Sequence, residues 1–188
     1  MIVRNPILPE VPKDDSIESA TQWRSSILEI IENLHNQLFD YLTEISATKL
    51  VRATTQSIPT ASYTKVGYNI ELFDELGEGD TTLFRFIAKQ SGYYQISASV
   101  LSANVAWGIG EYWQLWLYKN GVRYEAGLKQ RFQAALTDQV HSAYNNLIYL
   151  EAEDYIECFI YHTQGGNVNI AADDEYNFFS IYRVGLER

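Results

Sequence analysis

Residues 91–104 read SGYYQISASVLSAN, and this stretch decides the fold because it has the alternation of a β-strand. Successive side chains of a strand point to opposite faces. One face carries an ordinary core set, namely Tyr94, Ile96, Ala98 and Val100. The other face is neither charged like a solvent face nor apolar like a core, and it carries Tyr93, Gln95, Ser97, Ser99 and Leu101. The pattern predicts one face inside a sandwich and one face against a partner.

The composition favours β-structure and excludes several classes of partner. Aromatic residues make up 14% of the 188 residues, led by fourteen tyrosines, and aromatic residues favour strands. The formal net charge of −10 argues against nucleic acid and anionic membrane surfaces as partners, because like charges repel. No run approaches the roughly 20 apolar residues of a membrane helix, so we expect no membrane insertion.

The single cysteine, Cys158, excludes an intramolecular disulfide, and its place in a candidate strand predicts a small buried hydrophobe. The first fifteen residues contain three prolines and no long apolar core, so we expect no signal peptide and synthesis in a reducing cytoplasm.

Residues 1–14 predict an extended N-terminal arm, because Pro6, Pro9 and Pro12 disfavour a helix. Apolar residues lie between the prolines, which favours a tether that docks on another protein. An unstructured terminus is the alternative.

Residues 15–49 predict a helix that forms a coiled coil, with Asp15 as cap and an end near Thr48. Apolar residues recur at alternating spacings of three and four over about four heptads, with Arg24 in the one gap. This seam includes Ile17, Ala20, Ile27, Ile31, Leu34, Leu38, Tyr41 and Ile45. The alternative is an amphipathic helix that packs on its own domain.

Residues 50–188 predict a β-domain with ten candidate strands and no intervening helix, which is typical of a sandwich or barrel. Asn120-Gly121 predicts a hairpin, since both positions tolerate positive φ. The strands are 50–55, 65–73, 82–88, 93–101, 112–119, 122–125, 146–150, 155–162, 168–171 and 177–184.

Several short motifs occur in this domain in an order that is typical of one protein family. Phe86 is followed by Gly92, Tyr94 and Ile96 in an F-x-x-x-x-x-G-x-Y-x-hydrophobic pattern. This pattern is followed along the chain by Lys-Asn-Gly at 119–121, then by the strand segment 150–161, and last by the strand segment 177–186. Together they resemble the globular head of complement component one-q and its tumour-necrosis-factor-like relatives over nearly all of residues 52–186. Two features depart from that pattern: Glu153 stands where a glycine is usual, and the spacing between Asp74 and Phe86 differs.

The resemblance implies a ten-stranded jelly roll that forms tight trimers, with a trimeric coiled coil on the same axis. The resemblance implies that the Tyr94 face of segment 91–104 lies inside the sandwich and that its Tyr93 face lies in a contact between subunits. The residues expected in the core or the interface of the head are Phe86, Gly92, Tyr93, Tyr94, Trp113, Trp116 and Phe179.

No catalytic motif is present in the sequence, so we expect neither enzymatic activity nor an organic cofactor. Asp173 and Asp174 are the best candidates for a calcium site, and solvated loop charges are the alternative. An aromatic platform for a glycan or another ligand is a further candidate, with burial in the trimer core or the sandwich core as the alternative. Its members are Trp107, Tyr112, Trp113, Trp116 and Tyr124, of which Trp107 is expected on a loop beside Gly108.

The order of arm, coiled coil and trimeric head resembles bacteriophage virion components. We therefore expect a homotrimeric virion structural protein, either a capsid decoration or head fibre or a tail-associated fibre. Its arm would bind other virion proteins, and its head would project from the virion surface. The alternative is an adhesin tip that binds a glycan or protein of the host surface through exposed aromatic loops.

Overall fold

The computed structural model describes residues 17–43 and 45–185 of the chain. The chain divides into two compact units, with the boundary between Ile45 and Ser46. The first unit contains the helix α1, Ile17–Thr43. Its seam side chains Ile31, Leu34 and Leu38 are exposed, Ile27 is half-buried, and the side chains of Ile17 and Tyr41 lie outside the described part. No helix in the described ranges has the length and apolar character needed to cross a membrane.

The helix ends earlier than the seam predicts. Strand β1, Ala47–Val51, takes up residues that we expected in the helix, and Ile45 lies beyond the end of α1 and is exposed. Ser46 and Thr48 are buried in the head, where their hydroxyls donate to Glu78 at 2.5 Å and to Asp74 at 2.9 Å. These contacts reach across 32 and 26 positions of the chain, so the heptad pattern does not contain them.

The described part of the head contains fifteen strands rather than the ten predicted. The segment 65–73 divides into two strands, and four strands of two or three residues were not predicted (β2, β5, β8 and β11). The strands after β1 are β2 Gln56–Ile58, β3 Thr64–Lys65, β4 Ile70–Asp74, β5 Gly79–Asp80, β6 Arg85–Ile87, β7 Gly92–Leu101, β8 Val105–Trp107, β9 Tyr112–Lys119, β10 Val122–Arg131, β11 Leu136–Asp138, β12 His141–Leu150, β13 Tyr155–His162, β14 Val168–Ile170 and β15 Phe178–Gly185.

Two antiparallel sheets pack on each other to form a sandwich. The first sheet has the order β12-β7-β15-β1-β4. The second sheet has the order β10-β9-β13-β6-β5, and β3 also pairs with β13. Strands from the two ends of the head, β1 and β15, therefore lie side by side, which requires long-range pairing.

The central strand β7 divides its side chains as the alternation predicts. Tyr94, Ile96, Ala98 and Val100 are at most 1% exposed. They pack against second-sheet residues of the same core, which include Trp113, Leu115 and Leu117. The Phe86 and Tyr94 rings of the family motif meet edge to face at 5.5 Å between centroids. Burial of a large apolar side chain such as Ile96 or Val100 contributes about 1.5–3 kcal/mol.

Two turns carry residues in the left-handed region. Asn120 and Gly121 have φ of 53° and 75°, which confirms the predicted hairpin. Glu153 has φ of 72°, so a glutamate adopts the conformation for which the resembled family uses glycine. Asp154 holds this turn, since its carboxylate accepts the Glu151 N–H at 2.8 Å and the Asn120 side-chain amide at 2.6 Å.

Gly127 lies where the two sheets approach each other at their edges, on β10 beside β12. A Cβ at this position would lie 2.7 Å from the carbonyl oxygen of Ala143 and 3.1 Å from that of Leu115. The β10–β9 ladder also shifts register between Ala126 and Lys129. The close approach therefore requires a residue without a side chain.

We expect Gly127→Ala to lower the free energy of unfolding by about 1–3 kcal/mol, because backbone atoms of two strands must move to admit the methyl group. Gly165→Ala is the matched control, since nothing lies within 4 Å of its added Cβ, and we expect it to change stability by about 0.5 kcal/mol or less. Urea denaturation followed by tryptophan fluorescence measures both. Equal midpoints for the two variants would contradict the packing assigned to Gly127.

Candidate interaction surfaces

The first candidate surface is the outer face of the first sheet. We define it by eight side chains of β7, β12 and β15 that point away from the core: Tyr93, Gln95, Ser97, Asn145, Leu147, Tyr149, Ser180 and Tyr182. Lys49 of β1 lies opposite Ser180 and borders this surface. The register places Tyr93 opposite Tyr149, Gln95 between Leu147 and Tyr182, and Ser97 between Asn145 and Ser180. None of the eight is charged, and Tyr93, Leu147 and Tyr182 are 45%, 47% and 50% exposed.

The polar groups on this face bond to one another. The Gln95 amide donates to Asn145 Oδ1 at 2.7 Å, and the Asn145 amide donates to Ser97 Oγ at 3.0 Å. The Tyr93 and Tyr149 rings meet edge to face at 5.4 Å. Since burying a polar group is costly only when its hydrogen bonds are lost, this face can be covered at low cost.

A serine and a histidine meet at the end of this sheet, but the pair is not arranged as a nucleophile. The Ser99 hydroxyl donates to the Tyr176 carbonyl at 2.5 Å and contacts Nε2 of His141. Ser99 is almost fully buried, so its oxygen is closed to a substrate. Burial lowers the pKa of His141. The contact anchors the segment before β15 to β7.

The second candidate surface is the outer face of the second sheet. We call its ring cluster the aromatic strip, and it consists of Tyr63, Tyr112, Trp116, Tyr118, Phe159 and Tyr161. Tyr112 stacks on Tyr161 at 5.8 Å, and Tyr118 stacks on Phe159 at 3.9 Å. Tyr63 lies among them, 4.7 Å from Tyr161 and 5.8 Å from Trp116. Burial raises the pKa of Tyr112 and of Tyr118.

Two cations, Arg123 and Lys129, lie over rings of the aromatic strip. The Arg123 guanidinium lies 5.0 Å from the Trp116 centroid and donates to the Tyr63 hydroxyl at 2.7 Å. The Lys129 ammonium lies 3.8 Å from the Tyr112 centroid. Neither cation forms an ion pair with an acidic side chain in the described part of the chain. The Trp116 N–H is buried, and no hydrogen-bond partner for it occurs within residues 17–43 and 45–185.

The family-motif residues occupy the core and both outer faces. Phe86, Gly92, Tyr94, Trp113 and Phe179 are buried. By contrast, Tyr93 lies on the outer face of the first sheet and half-buried Trp116 lies in the aromatic strip.

Trp107 does not lie on a loop, contrary to our expectation. It belongs to β8 and is only 1% exposed, with its ring stacked on Phe132 at 4.9 Å and its N–H donating to the Asp138 carbonyl at 3.2 Å. The pairing of β8 with β11 buries the ring, so it offers no face to a ligand. Tyr124, the second ligand candidate, is exposed on β10.

The acidic loop that carries the calcium candidates Asp173 and Asp174 forms a turn of its own. Asp173 Oδ1 accepts the Glu175 N–H at 3.1 Å, and the Asp173 carbonyl accepts the Asn177 N–H at 3.0 Å. Across the ranges that the structure describes, no group of three or more His, Cys, Asp and Glu side chains is placed to hold a metal ion. No ligand set therefore forms around Asp173 and Asp174.

The sequence did not indicate Tyr63 as a member of the aromatic strip, nor Arg123 and Lys129 as cations beside it. Tyr63 precedes β3 and reaches β9 and β13 only through the fold. A partial signal existed in the alternation of Tyr112, Trp116 and Tyr118 along β9.

Comparisons with known proteins identify the fold. No protein-family model matches the sequence. The globular domain of zebrafish complement 1qA superposes with a TM-score of 0.55 at 14% identity, covering 77% of this chain and 100% of that domain. Eiger TNF from S. frugiperda gives 0.54 at 11% identity, covering 77% and 95%. Murine APRIL gives 0.52 at 15% identity, covering 75% and 100%. The head thus has the jelly-roll fold of these proteins, as the resemblance implied.

A curated relative is the uncharacterized protein YqcC of Bacillus subtilis (strain 168), 29% identical over 138 residues. The match covers 69% of this chain and 37% of the relative, so the chain spans about a third of that protein's length.

We expect Cys158 to resist thiol reagents in the folded protein. The side chain is buried, and burial raises the pKa of the thiol far above its ordinary value, so the reactive thiolate does not form. Labelling with a disulfide reagent at pH 8 should be about a hundredfold or more slower than in urea, because it requires opening of the sandwich. Labelling at equal rates in both conditions would show that the thiol is accessible.

Proposed function

We propose that the protein is a homotrimer whose subunits meet through the outer face of the first sheet, and that this trimer is a non-enzymatic structural component of a bacteriophage virion. The observation that carries the proposal is a half-exposed surface of eight residues without a charge, in a protein of net charge −10. Interface cores are depleted of charge and enriched in tyrosine.

The architecture of this face supports a contact between copies of the chain. The large side chain of Tyr182 lies next to the smaller Ser180, which pairs with Ser97, and these serines leave room for a neighbouring subunit to approach. A charged solvent face would instead carry lysine or glutamate at alternate positions. Three-fold closure is favoured over two-fold closure by the likeness to the resembled family, which the sequence motifs first indicated.

The helix supplies a second apolar surface for the same assembly. Ile31 and Leu38 are 55% and 59% exposed, although they lie on the heptad seam. Exposed leucine and isoleucine at this spacing are typical of a helix that pairs with copies of itself. We therefore retain the trimeric coiled coil as part of the proposal, with the shorter extent Ile17–Thr43.

The virion role rests on the order of the segments along the chain. An arm with apolar residues between prolines precedes the helix, and the helix precedes the head. In our proposal the arm binds a capsid or tail protein, and the head projects from the virion surface. This order suits a fibre or a decoration protein that needs attachment at one end and a stable body at the other.

A second candidate function is a binding tip that recognises a molecule of the host surface. The aromatic strip favours it, because clustered half-exposed aromatic rings beside unpaired cations are typical of ligand-binding surfaces. This surface replaces Trp107 as the candidate ligand contact. The two functions are compatible, since one fibre can be attached at its arm and bind through its head.

We expect the full chain to sediment as a trimer at micromolar concentration, and Leu147→Asp to shift the equilibrium towards monomer by at least about tenfold, because a carboxylate would be buried between subunits. Ile109→Asp is the matched control, since Ile109 is exposed outside this face. Circular dichroism confirms that both variants fold. A wild-type monomer, or a Leu147→Asp trimer as tight as the wild type, would contradict the proposed interface.

We expect deletion of residues 1–14 to leave the sedimentation coefficient that of a trimer and to abolish copurification with assembled particles. The arm, in this proposal, contributes to attachment and not to folding. The control restores the arm with its five apolar residues Ile2, Val3, Ile7, Leu8 and Val11 changed to serine, which should behave like the deletion. Attachment at the wild-type level without the arm would refute the anchoring role.

A further inference from the structure

We propose that the aromatic strip, together with Arg123 and Lys129, binds an acidic saccharide, that is, sugar rings carrying carboxylate or phosphate groups. The inference deepens the second candidate function, a binding tip, and is independent of the trimer and of the virion location. It rests on three features of the outer face of the second sheet: the rings, the cations and the shape of the strand that carries the cations.

The rings supply a flat surface that is partly exposed to solvent. Tyr112 and Tyr161 lie nearly parallel, with an interplanar angle of 25°, and Tyr118 and Phe159 make an angle of 26°. All of these rings are half-buried, and Tyr63 is 37% exposed. Such side chains combine an apolar face with a polar tip. A sugar ring matches both properties, because its C–H groups pack on aromatic faces while its hydroxyls bond to polar tips at the border.

The cations supply the charge preference. Some cations of the head have an acidic partner, since Lys65 binds Glu157 at 2.5 Å and Lys119 binds Asp154 at 2.7 Å. Arg123 and Lys129 contact rings and a neutral hydroxyl instead. A carboxylate or phosphate on the strip would therefore gain charge-assisted hydrogen bonds without first breaking an ion pair among the described residues.

Nucleic acid also combines rings with negative charge, but it fits this surface less well. Its backbone carries a phosphate at every nucleotide, whereas Arg123, Lys129 and Arg131 are a short set of cations beside the strip, and the protein as a whole carries a charge of −10. An oligosaccharide carries its acidic groups more sparsely and has no need of a continuous positive track. The charge balance therefore favours the saccharide.

The shape of β10 argues against a peptide that would add as a strand. β10 is the edge of its sheet, and its ladder with β9 shifts register between Arg123 and Glu125 and again between Ala126 and Lys129. Irregularities and basic side chains on an edge prevent strand addition, which is the usual mode for an extended peptide on a sheet. Ligand recognition on this face therefore depends on side chains rather than on the backbone.

The experiment uses the full chain and isothermal titration with three acidic probes: trigalacturonate, 3′-sialyllactose and glucose 1-phosphate. The neutral partners are the methyl ester of trigalacturonate, lactose and glucose. We expect saturable binding of at least one acidic probe, at least tenfold tighter than its neutral partner and weakened by added salt. No binding of any acidic probe at millimolar concentration, or equal binding of acidic and neutral partners, would overturn the proposal.

Arg123→Gln and Lys129→Gln should each weaken binding of that probe at least fivefold. Arg85→Gln is the matched control, because its guanidinium also lies over a ring, that of Tyr155 at 4.8 Å, but already has Asp80 at 3.7 Å. We expect it to bind like the wild type. Unchanged binding in both strip variants would place the saccharide elsewhere and overturn the proposal, as would tighter binding of a thymidine oligomer than of every acidic saccharide.

Trp116 provides a separate readout of position. Trp107 and Trp113 are buried in the core, whereas Trp116 is half-buried within the strip. Binding should change the tryptophan emission of the wild type, and Trp116→Phe should remove most of that change. Sedimentation of the same samples separates this inference from the proposed trimer. A monomer that binds the saccharide would contradict the trimer alone, and a trimer that does not bind it would contradict this inference alone.

Discussion

The two-residue period of strand β7 is the constraint on which the rest of the head depends. β7 lies between β12 and β15 and forms a continuous ladder with β12 from His141 opposite Leu101 to Leu150 opposite Gly92. Because side chains alternate across the ladder, the burial of Tyr94 and Ile96 forces Tyr93 and Gln95 to the opposite face. A slip of one residue would place an amide and two serines in the core and expose its isoleucine and valine. The register is therefore held by hydrophobic burial, and the outer face follows from it.

The two outer faces of the sandwich differ in the side chains they present, and this difference suits them to different kinds of contact. On β7, β12 and β15 the first sheet presents uncharged side chains whose polar groups bond to one another, as between Gln95 and Asn145, with Lys49 of β1 at their border. The second sheet presents stacked rings with cations over them, as at Lys129 and Tyr112. A flat neighbouring subunit can exclude water from the first surface with little loss of hydrogen bonding, which suits a permanent subunit contact. The second keeps charges available, which suits a ligand that arrives from water.

Local patterns predicted the core of the head well and its connections poorly. The alternation in β7 and β9, and the Asn120-Gly121 turn, express preferences of a few neighbouring residues, so the sequence alone predicts them. The end of the helix is different, because Ser46 and Thr48 leave the heptad pattern to bond to Glu78 and Asp74, far along the chain. The prediction for Trp107 was wrong for the same reason. Its neighbouring glycines indicated a loop, whereas the carbonyl that accepts its N–H, in the strand that buries it, lies 31 positions along the chain.

The sequence by itself determined which side chains share a strand face, the seam of the helix and the turns that require left-handed backbone, because each depends on backbone geometry over a few residues. It also carried the motif order that indicated the fold. Only the tertiary structure decided where the head begins, which tryptophan is buried and which surface gathers the rings and cations. Tyr63, Trp116 and Arg123 come together from three strands or their approaches. Their proximity depends on pairing between strands that are far apart in the chain. The free energy of that pairing is distributed over the whole sandwich, so no single stretch of sequence predicts it.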